Sequence, residues 1–138
     1  MSLAFLLATD VVSEPLRPEP SPTLLRKLSR HAGEMAIPSV VWHELRFGCR
    51  RLPESKRRDA IERYLDEVVA PAFVILDYDR AAAEWHAAER ARLFSISKPA
   101  SFADGQIAAI ACVNDLVLVT ADRKGFAGFK GLRIERWV

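Results

Sequence analysis

The sequence predicts an α/β fold, a parallel sheet covered on both faces by helices. Three observations point there. Short apolar runs recur at residues 3–8, 35–37, 73–76, 116–120 and 132–134, and most are separated by stretches with helical spacing. The runs are apolar without polar alternation, as strands buried on both faces are. At 138 residues, half of them hydrophobic and 28% charged, the chain fits one globular domain, residues 1–138, with a core of its own.

Each element has its own reason. Residues 3–8 read as a buried first strand. Residues 15–22 hold four prolines in eight positions, so they read as a surface loop: proline suits neither a helix interior nor a paired strand. Ser21 or Thr23 opens a helix that carries Leu24, Leu25 and Leu28 and ends near Gly33. Residues 35–37 form a short strand. Pro38 and Ser39 start the next helix, with Val41, Leu45 and Leu52 on one face, and Pro53 breaks it. From 54 to 70, Ile61, Leu65, Val68 and Val69 recur at helical spacing, and Pro71 ends that helix. Residues 73–76 are a strand, 79–94 an alanine-rich helix with Trp85, and 95–101 a loop. Ser101-Phe-Ala-Asp104 opens a helix burying Ile107, Ile110 and Ala111. Residues 116–120 and 132–134 supply the last strands.

Composition excludes several classes. Cys49 and Cys112 form no CxxC and share no histidine cluster, so a structural zinc site is not expected; both read as small core residues in a reducing compartment. His31, His43 and His86 are scattered and read as surface or half-buried. No apolar run nears the roughly 20 residues that span a bilayer. The apolar start has no basic residues before it, so it is not read as a secretory signal, and a cytoplasmic protein is expected. The net charge of +2 hides a segregation: residues 17–63 carry +5, 64–116 carry −4 and 117–138 carry +3. Arg50-Arg51 and Lys56-Arg57-Arg58 lie in the first basic block, as a phosphate-attracting patch or simply a solvated helix face.

In open parallel sheets, ligands sit beyond the carboxyl ends of the strands. Four acids have a route to one such crevice: Asp10 after the first strand, Glu44 on the helix after the second, Asp104 at the start of a late helix, and Asp122 after the strand 116–120. Carboxylates without Cys or His support suit Mg2+ or Mn2+, ions that activate water for phosphoryl chemistry. Each acid also has a plain structural explanation. Asp10 suits a helix N-cap, Glu44 an exposed helix position, Asp104 a capping box with Ser101, and Asp122 an Asx turn before Gly125. Thr120 has a hydroxyl that can hold a phosphate or a metal-bound water, or is a β-favouring strand end.

Four segments, in order, resemble the PIN-domain ribonucleases of the VapC toxin type. They are Leu6-Leu-Ala-Thr-Asp-Val-Val-Ser-Glu-Pro-Leu-Arg-Pro18, Trp42-His-Glu-Leu-Arg-Phe-Gly48, Phe102-Ala-Asp-Gly-Gln-Ile-Ala-Ala-Ile-Ala111 and Leu118-Val-Thr-Ala-Asp-Arg-Lys-Gly-Phe-Ala-Gly-Phe129. The resemblance covers almost the whole chain. It implies a Rossmann-like α/β/α sandwich with a mostly parallel, roughly five-stranded sheet. It implies Mg2+- or Mn2+-dependent cleavage of RNA by the toxin of a type II toxin–antitoxin pair. It implies a VapB-like antitoxin, a homodimer, toxin–antitoxin hetero-oligomers, and promoter DNA bound only through the antitoxin. By position, Glu44, Asp104 and Asp122 match the family's acidic residues and Thr120 its preceding hydroxyl residue.

One position departs. The family's first motif begins with an aspartate at the end of strand one, and here that residue is Ala8. Asp10 occupies the third place of the motif, two residues further on. Loss of a central carboxylate from a small hard-ion site removes charge and one or two ligands. The expectation is therefore a chain inactive as written, through engineering or natural decay. The alternative is a PIN-like module that acts through antitoxin or RNA binding alone.

Overall fold

A computed structural model describes residues 2–138. Strands β1 (Phe5–Leu7), β2 (Met35–Pro38), β3 (Val74–Leu76), β4 (Val117–Val119) and β5 (Ile134–Glu135) make one sheet in the order β3-β2-β1-β4-β5. Every pair is parallel, with Phe5 opposite both Met35 and Val117. The chain builds outward from β1 to β3, then returns across the centre to β4. The strand order therefore reverses beside β1, and the crevice for a ligand opens at the carboxyl ends of β1 and β4.

Successive strand residues point to opposite faces. Leu6 and Leu7 are both buried, as are Ala36 with Ile37 and Leu118 with Val119. Both faces of the central sheet are therefore covered, as the absence of polar alternation predicts. Each fully buried Leu or Ile contributes about 1.5–3 kcal/mol relative to exposure. The edge strand β3 differs: Val74 and Ile75 are exposed, so the expectation of uniformly buried strands fails there. An edge strand has a neighbour on one side only, and its apolar run does not encode that.

The connecting helices are α1 (Thr9–Val12), α2 (Pro22–Arg30), α3 (Ser39–Arg50), α4 (Lys56–Tyr64), α5 (Ala70–Ala72), α6 (Arg80–Ser95), α7 (Phe102–Val113) and α8 (Arg123–Phe126). Five have side-chain N-caps: Ser21, Ser55, Asp79, Ser101 and Asp122 each accept from the backbone three residues on. The proline segment is not all loop. Pro15 sits in a 3₁₀ turn, Glu14–Leu16, and Pro22 starts α2, where its missing N–H is no loss.

The helix expected over 54–70 begins later and runs on past Pro71. Between α4 and α5 the backbone winds as a π-helix, Leu65–Val69. An extra residue in one turn brings Leu65 and Val69 into the core and leaves Val68 51% exposed. Asp66 on this segment pairs with Arg46 of α3, whose guanidinium also lies over Trp42. Pro71 lies within α5, early enough in that short turn to be tolerated.

Two side chains contradict their expected burial. Cys112 is only half-buried, and burial still pushes its thiol up to about 11. His86 is buried, not superficial: its Nδ1 bonds the Tyr78 hydroxyl at 2.8 Å and its ring meets Phe102. Burial lowers its pKa, and Arg90 adds to the effect. Glu89 is the other buried ionisable group on α6. It accepts from Arg92 at 2.6 and 2.8 Å and from the Lys130 backbone at 2.5 Å, and so fastens the stretch before β5. At the chain end, Trp137 is buried against Phe5 and His31 and donates to Glu135. Among the described residues no helix is long and apolar enough to cross a membrane.

Candidate active site

A pocket of about 440 Å³ opens at the carboxyl ends of β1 and β4. Ala8, Asp10, Glu44, Asp104, Thr120 and Asp122 all line it, so every site residue expected from the sequence arrives in one place. Residues from four helices and a strand end meet there. Asp104 is the third residue of α7, held by the Ser101 hydroxyl, which accepts from its backbone N–H at 3.0 Å. Asp122 caps α8 and accepts from Gly125 at 3.0 Å. Glu44 projects from the second turn of α3.

Two of the carboxylates share the space above one glycine. A Cβ built on Gly125 would fall 2.6 Å from Asp122 Oδ2 and 3.2 Å from Asp104 Oδ2. A side chain at 125 would have to displace the Asp122 carboxylate, so the glycine lets the two acids stand where they do. The crowding shows in the Asp104 carboxyl, which burial pushes above its usual range. The charges of Asp122 and Glu44 add to that rise, against the lowering effect of the Ser101 hydroxyl.

Asp10 has a different place from the other three. It lies within α1 and is not its N-cap. Its Oδ1 accepts from the Thr120 hydroxyl at 3.1 Å and its Oδ2 from the Ala121 backbone at 2.8 Å. Both oxygens thus brace the end of β4. Thr120, 1% exposed, accepts in turn from the Asp122 backbone at 3.0 Å. The chain of bonds Asp10–Thr120–Asp122 sets where the Asp122 carboxylate stands. Across the pocket, the Thr9 hydroxyl donates to Glu44 Oε2 at 3.0 Å. Sequence reasoning missed Thr9, and it missed Ile107 and Phe126 as the apolar part of the lining. Ile107 lies one turn past Asp104 and was readable from helical spacing.

Ala8 stands at the centre of this arrangement, 5% exposed. It is the N-cap of α1, with extended backbone (φ −80°, ψ 168°), and its carbonyl accepts from Val11 and Val12. No side chain caps this helix. Aspartate is among the best residues for such a position and alanine among the poorest. The local backbone alone therefore suits an aspartate better than the methyl that is present.

The donors match a hard divalent cation in kind, being carboxylate and hydroxyl oxygens only. They do not match it in arrangement. Among the described residues, no three His, Cys, Asp or Glu side chains are grouped so as to hold one ion.

Comparison with known proteins identifies the family and the fold. The PIN domain matches residues 5–132. Toxin FitB of Neisseria gonorrhoeae is 32% identical over 124 residues, covering 88% of this chain and 89% of the relative. The tRNA(fMet)-specific endonuclease VapC of Shigella flexneri is 30% identical over 136 residues, 98% of each chain. The crystal structure of DNA-bound VapBC from Salmonella typhimurium has a chain that superposes with a TM-score of 0.84 at 27% identity, over 99% of both chains.

Proposed function

The chain belongs to the PIN-domain family, and on that footing we propose that it is the VapC-type toxin of a type II toxin–antitoxin pair. Its body is built for metal-dependent endoribonuclease cleavage, and its own site lacks one carboxylate. The observation that carries this reading is the convergence of Glu44, Asp104 and Asp122 around the buried methyl of an uncapped N-cap, Ala8. The relatives' names, a toxin and a tRNA endonuclease, support RNA as the substrate class.

With an aspartate at position 8, Mg2+ or Mn2+ is the fitting cofactor, and it supplies an activated water and positive charge for the phosphate. Glu44, Asp104 and Asp122 are the ligands that remain. Thr9 orients Glu44, while Asp10 and Thr120 orient Asp122. With Ala8 the three acids line the pocket without being grouped to hold an ion, so the chain as written does not cleave.

The partner is a VapB-like antitoxin. An apolar groove of about 400 Å³ between α2 and the π-helical segment is lined by Leu28, Ala32, Tyr64, Val68 and Phe73, and suits the apolar face of an amphipathic helix. A basic antitoxin side chain entering the acid pocket would occupy it with the charge the missing ion leaves unbalanced. The homodimer, the toxin–antitoxin hetero-oligomer and promoter binding through the antitoxin belong to the same reading.

The deciding experiment is Ala8→Asp, assayed for RNA cleavage with and without Mg2+ or Mn2+. The variant gains metal-dependent cleavage and the parent shows none. Equal activity in both would refute the missing-ligand reading. An inactive variant that still binds antitoxin or RNA would favour a pure binding module.

A further inference from the structure

We propose that Phe47 is a platform on which a nucleobase flanking the scissile phosphate stacks, with Arg51 holding the adjoining phosphate. This rests on the reading of RNA as substrate and extends it to unpaired nucleotides.

Positions three and four apart share one face of a helix. On α3 the stripe that begins at Glu44 in the acid pocket continues through Phe47 and Gly48 to Arg51. One helical turn is about 5.4 Å, so Phe47 and Gly48 lie immediately beyond the pocket and Arg51 one turn further. The charge changes sign along this line, from the acids to Arg50 and Arg51, as a crossing polyanion requires if its reacting phosphate alone is to sit among carboxylates.

Phe47 is 59% exposed on this stripe. Its ring is not folded into the core with Val41, Leu45 and Cys49 of the same helix. The His43 ring lies nearly parallel to it, with centroids 6.2 Å apart, and the Arg51 guanidinium lies 5.8 Å from its centroid. Both neighbours are exposed. A base can displace Arg51 from the ring, and the freed guanidinium then reaches a phosphate instead.

Gly48 supplies the independent observation. Glycine is the poorest helix former but proline, so even in the last turn of α3, where Gly48 stands, it calls for a reason. The fold gives none: a Cβ at 48 would meet no atom within 4 Å. The glycine leaves open space over the backbone next to Phe47 in the chain, room for a base and its ribose. An aromatic ring reads no sequence but demands an unstacked base, so the substrate segment is a loop or single strand.

The test uses the chain as it stands with a single-stranded RNA carrying 2-aminopurine. Binding is read by anisotropy, stacking by 2-aminopurine quenching, and oligomeric state by light scattering. Phe47→Ala and Phe47→Leu each weaken binding about tenfold and abolish the quenching, whereas Phe47→Trp keeps both. Leucine keeps an apolar side chain and loses only the ring, so it separates stacking from burial. If the parent binds and quenches and Phe47→Ala does so equally, the platform is wrong and the RNA reading stands. If the parent binds no RNA, the RNA reading itself fails and the platform with it. If Phe47→Ala changes the molecular mass, the ring covers a second copy of this chain and the proposal is overturned.

Discussion

Gly105→Ala tests whether the approach of α6 to α7 is as close as it looks. Alanine is normally the better residue in a helix by about 1 kcal/mol. Here its Cβ would stand 2.1 Å from His86 Nε2, 2.7 Å from Cδ2 and 2.9 Å from Cε1. Ordinary contacts are about 3.5 Å or more, so the imidazole must withdraw by roughly 1.4 Å. It has little room: it is 3% exposed, bonded to Tyr78 at 2.8 Å and packed on Phe102 with centroids 4.9 Å apart. Overpacking costs about 1–3 kcal/mol and the strained Tyr78 bond about 1 more. Against the helical gain, the net loss is about 2 kcal/mol. With a urea slope of about 2 kcal/mol/M, the unfolding midpoint falls by about 1 M. The same substitution in a His86→Ala background costs nothing, because the ring that blocks it is gone. A Gly105→Ala midpoint at or above the parent's would refute the reasoning, and so would equal losses in the two backgrounds.

Three further outcomes follow from the charged groups. Ala8→Asp, freed of divalent ions, places a fourth carboxylate beside Glu44, Asp104 and Asp122, and repulsion offsets the gain of about 1 kcal/mol from capping α1. Mn2+ at a hundred times its Kd then stabilises the variant by about 2.7 kcal/mol, read as a rise in melting temperature, and leaves the parent almost unmoved. Asp104 holds its proton more tightly folded than unfolded. Its contribution to stability is therefore present at low pH and lost as pH rises from about 4 through its raised value; Asp104→Asn flattens that part of the urea-midpoint profile. Glu89 has the opposite sign. The Arg92 hydrogen bonds hold its carboxyl below the usual range, against burial, so its contribution is lost as pH falls below the ordinary glutamate value. Glu89→Gln costs about 2 kcal/mol in urea unfolding at pH 7, less than a fully buried pair because Arg92 is partly exposed.

How much of this was legible in the sequence depends on the kind of signal. The five strands and the caps at Ser21 and Ser101 were readable because their cues are local: an apolar run, or a hydroxyl three residues before a needed partner. The convergence of Glu44, Asp104 and Asp122 was readable once the sheet was assumed parallel, since strand ends then point to one crevice. The brace from Asp10 to Thr120 was not, because it joins residues 110 positions apart and either could serve as a local cap or strand end. The π-helical turn at 65–69 was invisible for another reason. Leu65 and Val69 have the spacing of an ordinary helix, and nothing else in the segment distinguishes a π turn from an α turn. His86 read as surface or half-buried because its burial depends on Gly105, nineteen residues away, where the missing side chain makes the space.

The absence of a carboxylate at position 8 need not touch the rest of the molecule. The brace at β4 is made by Asp10, Thr120 and Ala121, and the Glu44 carboxylate is oriented by Thr9; none of these bonds uses the side chain at position 8. The apolar groove at Leu28, Tyr64 and Val68 is lined by no residue of the acid pocket. The proposed recognition by an antitoxin therefore divides into two separable parts, an apolar helix in the groove and a basic side chain in the pocket. Val68→Glu puts an unpaired charge under the helix from an exposed position, so it abolishes the complex without lowering the melting temperature. Ala8→Asp leaves the groove as it is and adds one negative charge to the pocket. If a basic antitoxin side chain enters there, the variant binds the antitoxin about fivefold more tightly in titration calorimetry, an effect that high salt shrinks. Unchanged affinity for Ala8→Asp would mean that the groove alone carries recognition and that the acid pocket stays open in the complex.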